Sequence, residues 1–280
     1  MSKTANELKS DIKRRKRLRS LAINSLIALV AIIVCTLMGF ASKKQSAAVC
    51  WKLEVSVLGN SEQKFIDEAY ITKLAESATD QIVGKKVADI DIAAIHKKLS
   101  ENSSIKKAHV FTTVDGKCVI QVKQRTPIAR ILNADGTSFY LDQDGFTMAL
   151  SNHYTAKVPV FTGVLYEKMS DKSVLDYPAD DDYLKSTLLD DIYTLTQFIN
   201  QNEFWKAQVE HVRVNARHEF EIIPRVGNHL IAIGDVSNLE EKFKKLMAFY
   251  ANTIHKHDLN QYTAINVEYD GQVVCVKRAY

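Results

Sequence analysis

The sequence predicts an α+β protein: one transmembrane helix, then two domains beyond the membrane, the first ordered strand-helix-helix-strand-strand and the second a mixed β domain with flanking helices. Three observations carry this. A long apolar run lies near the N-terminus, period-two and helix-period segments alternate after it, and the texture shifts to short strands at Pro127. The resulting boundaries are a basic cytoplasmic tail over 1–20, a membrane helix over 21–41, a linker over 42–50, a first domain over 51–126 and a β domain over 127–280.

The span comes first. Leu21 to Phe40 is 20 residues without a formal charge, in a chain with 25% charged residues. As a helix it is about 30 Å long, the thickness of a bilayer's hydrocarbon core. Asn24, Ser25 and Thr36 are its polar interruptions, and a helix can bond such side chains internally. Lys13, Arg14, Arg15, Lys16, Arg17 and Arg19 precede it, against Lys43 and Lys44 just beyond, so the positive-inside rule puts Met1 in the cytoplasm. The competing reading is a cleaved signal peptide with Gly39-Phe40-Ala41 at the cleavage site, but a signal's apolar region runs about 7–15 residues.

The net charge of +4 is concentrated in the tail. Residues 1–20 carry eight Lys and Arg against two acidic residues, a net +6, which leaves −2 over the rest (29 Lys and Arg against 31 Asp and Glu). No basic patch remains for a nucleic-acid backbone, so the tail's partner is anionic lipid. The four cysteines, Cys35, Cys50, Cys118 and Cys275, have neither the number for a disulfide framework nor the spacing for a metal cluster. Cys118 and Cys275 sit in strand-like runs and read as small buried apolar residues.

In the first domain, Leu53, Val55 and Val57 alternate with Lys52, Glu54 and Ser56 as a half-buried strand closed by Gly59 and Asn60. Ile66, Tyr70 and Leu74 mark one helix face. After a break at Gly84, Asp89 or Asp91 caps a second helix striped by Ile92, Ile95 and Leu99. Two alternating runs then meet at Asp115-Gly116, a pair suited to a two-residue hairpin in which both residues take positive φ. Ala108, Val110 and Thr112 share one face, and so do Cys118, Ile120 and Val122.

Beyond Pro127 lie three short strand runs, ARIL, SFYLDQDGF and VPVF, then a helix between Asp180 and Asn200 with Leu184, Leu188, Ile192, Leu195 and Ile199 on its stripe. VEHVRV, EFEII and HLIAIG follow as strands. Ser237 and Glu240 form a capping box for a helix striped by Leu239, Phe243, Leu246, Tyr250 and Ile254. The closing strands YTAINVEY and QVVCVK meet at Asp270-Gly271.

Catalytic signals are weak. Asp142-Gln143-Asp144-Gly145 lacks a third acidic ligand and a closing Glu, and so reads as a turn; Asp180, Asp181 and Asp182 suit a helix start. His255 and His257, two apart, point to different helix faces. The sequence offers no catalytic residue, cofactor site, metal site or small-molecule substrate.

Taken in order, these pieces resemble the bacterial cell-division family FtsQ, called DivIB in some bacteria. The resemblance rests on Val55, Val57, Gly59 and Asn60; on Arg125, Thr126, Pro127, Ile128 and Ala129; on Leu141, Asp142 and Gly145; on Pro159 and Gly163; and on the closing stretch from Ile231 to Lys277. It implies that the first domain is a POTRA domain and that the protein is a non-catalytic scaffold at the division site of the bacterial inner membrane. It implies FtsB- and FtsL-type septal coiled-coil proteins as partners, among other divisome proteins. By correspondence with the family's closing strand, the contact falls at Thr263, Ala264, Asn266, Glu268, Val274 and Cys275, with Ile265 and Val267 turned to the protein's own core. The alternatives are a POTRA-bearing envelope assembly factor and an anchored periplasmic hydrolase.

Overall fold

The computed structural model describes residues 29, 30, 32–34, 36, 48–59, 65–178, 180–253 and 259–279. The basic cluster Lys13 to Arg19, the span ends Leu21 and Phe40, and Cys35, Asn60, Ile254, His255 and His257 lie outside them. Within the predicted span, Leu29, Val30, Ile32, Ile33, Val34 and Thr36 are helical, and the Thr36 hydroxyl donates to the Ile33 carbonyl at 2.8 Å. Among the described residues no helix is long and apolar enough to cross a membrane.

Lys52–Leu58 (β1), Ile105–Thr112 (β2) and Lys117–Gln124 (β3) form a three-stranded sheet in the order β1-β3-β2. Helices Glu68–Thr79 (α1) and Ile92–Ser100 (α2) lie between β1 and β2 in the chain, giving the β-α-α-β-β order. Asp91 caps α2, its Oδ1 accepting from the Ala94 amide at 2.9 Å, and Ile95 and Leu99 are buried. The α1 stripe is shifted from the sequence reading. Ile66 precedes the helix, Tyr70 is 38% exposed, and Ile71 and Ala75 are the buried face. The β2–β3 turn also differs: Gly116 has φ +83 while Asp115 does not take positive φ, and the Gly116 amide donates to the Thr113 carbonyl. This is a four-residue turn ending on a left-handed glycine, which needs one positive φ rather than two.

The larger sheet has nine strands: Pro127–Leu132 (β4), Ser138–Asp142 (β5), Thr147–Met148 (β6), Val160–Gly163 (β7), Val209–Val214 (β8), Phe220–Pro224 (β9), Leu230–Gly234 (β10), Tyr262–Asn266 (β11) and Val274–Lys277 (β12). Their order is β12-β11-β10-β9-β8-β7-β4-β5-β6. Pro127 fits as the first residue of its strand, where its missing N–H costs least. Gly163 has φ +106, and a Cβ there would come within 2.1 Å of the Val214 carbonyl oxygen, so only glycine lets β7 run this close to β8.

Register places a continuous apolar row on one face: Ile131, Phe161, Val212, Ile222, Ile231 and Ile265, each opposite the next and each fully buried. Asp182–Ser186 (α3), Leu189–Asn200 (α4), Glu203–Gln208 (α5) and Leu239–Thr253 (α6) complete the unit. From α4 come Leu189, Ile192, Leu195 and Ile199, from α5 Trp205, and from α6 Leu239, Phe243, Leu246 and Tyr250, all packed in one core with that row. Burying each such side chain contributes roughly 1.5–3 kcal/mol. The other face carries Thr162, Arg213, Glu221, Ala232, Asn266 and Val274, again each opposite the next, the alternation of a sheet covered on one side.

Two helix readings are corrected. The helix expected from Asp180 to Asn200 is two helices, because Thr187 is extended and the Glu167 carboxylate takes both the Thr187 hydroxyl and the Leu188 amide, opening α4 afresh. Ser237 forms no capping box: its hydroxyl donates to Asp235 Oδ1 at 2.5 Å, and the buried Lys242 ammonium reaches the same atom at 2.7 Å. The described residues divide into two compact units, those up to 54 with 75–95 and 109–120 in one and those within 55–74, 96–108 and from 121 onward in the other.

Candidate partner-binding edge

The sheet's last strand is short and polar at its end. Residues 272–277 read Gln-Val-Val-Cys-Val-Lys, and alternation sends Val273 and Cys275 to one side and Val274 and Val276 to the other. The structure follows that split. Cys275 pairs opposite the buried Ile265 and packs, with Val273, against the core, whereas Val274 and Val276 are 42% and 55% exposed. The strand is anchored at its end by Arg278, whose amide donates to the Gln261 carbonyl and whose guanidinium donates to the Asn228 carbonyl at 2.8 Å.

Among the described strands β12 has a neighbour on one side only, β11, so its other flank is an open edge of the sheet, the two-residue β6 being the terminal strand at the far side. This corrects where the candidate residues stand. Thr263, Ala264 and Asn266 belong to β11, which pairs with β10 in parallel and with β12 in antiparallel, so both its flanks are occupied. Ala264 and Asn266 lie on the outer face, opposite Val276 and Val274. The Thr263 hydroxyl donates to the Val276 carbonyl at 3.2 Å and holds the two strands together. Asn266 Oδ1 accepts from the Glu268 amide at 2.8 Å, ending β11, and the Glu268 side chain lies against Gly234. Cys275 faces inward, and burial pushes its thiol up from the ordinary range. Ile265 and Val267 are fully buried, as read from the sequence. Val276, left out of the candidates, is the most exposed apolar side chain of the strand, and the alternation that placed Val274 would have found it.

The acidic turn is structural. Asp142 is fully buried: its Oδ2 accepts from Arg125 Nη1 at 2.9 Å, and its Oδ1 accepts from the amides of Asp144 and Phe146 at 3.0 and 2.7 Å. Burial pushes this carboxyl above the usual range while Arg125 pulls it back. The guanidinium also lies 4.0 Å from the Phe146 ring centroid. Both carboxylate oxygens thus hold the start of the β domain. Among the described residues no three His, Cys, Asp or Glu side chains converge as metal ligands.

Residues 126–276 match the family model described as FtsQ/DivIB, C-terminal related, and residues 48–123 match the model of a POTRA-like domain. The first match covers more than half of the 280-residue chain. The chain belongs to the FtsQ/DivIB C-terminal-related family. No curated protein matches it. For an FtsQ/DivIB relative, the POTRA-like match falls on the β-α-α-β-β segment and the family match spans β4 to β12, so the open edge lies inside the matched region.

Proposed function

We propose that the chain is a membrane-anchored, non-catalytic scaffold of the division septum that binds FtsB- and FtsL-type partners by strand addition to β12. The observation that carries this is the position of β12 as the terminal strand of the nine-stranded sheet, with Val274 and Val276 outward. An extended partner segment would take its affinity from the open N–H and C=O groups and its specificity from alternate side chains meeting these two valines, with Ala264 and Asn266 beside them. The family supplies the setting, a cell-division assembly at the bacterial inner membrane. The span Leu21–Phe40 supports the anchor, and the exposed apolar side chains of Leu29, Val30, Ile32, Ile33 and Val34 suit a helix whose solvent is lipid.

The test is substitution at the edge. Proline at Val267 is a poor probe, because the Val267 amide donates to the Ala232 carbonyl and its side chain is fully buried, so that change disrupts the fold itself. The double variant V274D/V276D places two charges on an exposed face. It should insert in membranes and melt like the parent, yet lose FtsB- and FtsL-type partners on affinity purification. Partner recovery equal to the parent's would refute the edge as the contact.

A further inference from the structure

The end of the first compact unit at which the chain arrives from the predicted span is apolar on its outside. Val49, Trp51, Val83 and Val114 are 51%, 58%, 38% and 81% exposed. They belong to three segments that backbone bonds draw together. The Cys50 amide donates to the Lys85 carbonyl, the Gly84 amide to the Cys50 carbonyl, the Val87 amide to the Ala48 carbonyl, and the Trp51 amide to the Gly116 carbonyl. The Trp51 indole Nε1 donates to the Asp115 carbonyl at 2.9 Å, and the Lys117 ammonium lies 5.5 Å from the ring centroid. Beneath them, Cys50, Ile82 and Cys118 are fully buried, so the exposed set is a surplus the unit does not need for its own core.

We propose that this end of the unit docks on the phospholipid surface, with Trp51, Val49, Val83 and Val114 entering the interfacial layer and Lys86 and Lys117 meeting the headgroups. The inference rests on reading Leu21–Phe40 as a permanent anchor. Two features favour lipid over a protein as the occupant. Phe40 and Val49 are nine residues apart in sequence, a reach of at most about 30 Å, so a tethered chain keeps this surface within that distance of the membrane. The composition is also that of an interfacial contact: an amphipathic indole with its N–H satisfied, aliphatic tips around it, and lysines whose apolar stems can lie along the layer while their ammoniums stay in the headgroup region. The Lys117 ammonium is shared with Asp115, 3.3 Å away, and the Lys85 ammonium donates to the Thr79 carbonyl at 3.1 Å, which leaves the exposed Lys86 as the main attraction for anionic headgroups.

The full chain, reconstituted in vesicles of phosphatidylcholine and phosphatidylglycerol with plain or brominated acyl chains, tests this by tryptophan emission. The sequence has two tryptophans, and Trp205, at 3% exposure, serves as an internal background. Brominated lipid should quench the parent, W51F should lose that bromine-dependent fraction, and V114D, at an open turn, should lose most of it. A chain that floats with the vesicles but emits equally in plain and brominated lipid overturns the docking and leaves the anchor standing. A chain that fails to float overturns both.

Discussion

His229 shows how one buried residue sets a property of the whole domain. It is 5% exposed at the start of β10; its Nε2 lies 2.8 Å from the Tyr250 hydroxyl of α6, and burial holds its pKa below the ordinary value. A histidine depressed in the folded state favours folding above the unfolded pKa of about 6.5 and loses that contribution as pH falls below it, because only the unfolded chain takes up the proton readily. Thermal melts should therefore show stability dropping between pH 7 and 5, and H229Q should flatten that slope; an unchanged slope would place the titration elsewhere. The thiol of Cys118, pushed up to about 11 by burial and then by nearby Cys50, is a second case of a group made inert by its surroundings. The sequence had already read Cys118 as a small core residue, because its neighbours Ile120 and Val122 share its alternating face. Nothing local marked His229, whose partner is 21 residues away.

At the scale of elements, the regular strands and the helix break at Gly84 were legible, and the break at Thr187 was not. Period-two alternation located β1, β3, β8, β9 and β10 closely, since each has one face against a core. The single helix read from Asp180 to Asn200 failed for a non-local reason: the Glu167 carboxylate, 20 residues upstream of Thr187, takes its hydroxyl and the next amide. Removing that acceptor leaves α4 without its start. E167A should cost about 2 kcal/mol, the usual worth of hydrogen bonds to a charged group, read as a lowered Tm with no change in membrane insertion. The capping box failed similarly, because Asp235 takes the Ser237 hydroxyl and the Lys242 ammonium on the same oxygen. Such competition depends on which carboxylate stands within reach, and sequence spacing alone does not reveal it.

For the molecule as a whole, the decisive fact is sheet order. Reading the two closing strands as a hairpin is enough to expect an edge nearby. It does not say which strand is the edge, because that depends on β11 joining β10 in parallel after the α6 crossover. That pairing occupies both flanks of Thr263 to Asn266 and passes the open flank to β12, so half of the candidate set lies on the strand behind the edge and Val274 and Val276 stand at the surface. The buried row from Ile131 to Ile265 and the one-sided covering by α4 and α6 join that edge to the core. Amide hydrogen exchange on the full chain, with and without an FtsB-type partner, addresses this most directly. Strand addition predicts that the amides of residues 274–277 that point away from β11 become protected on binding while those of 262–266, already paired on both flanks, change little. Saturated binding with exchange at 274–277 unaltered would contradict it.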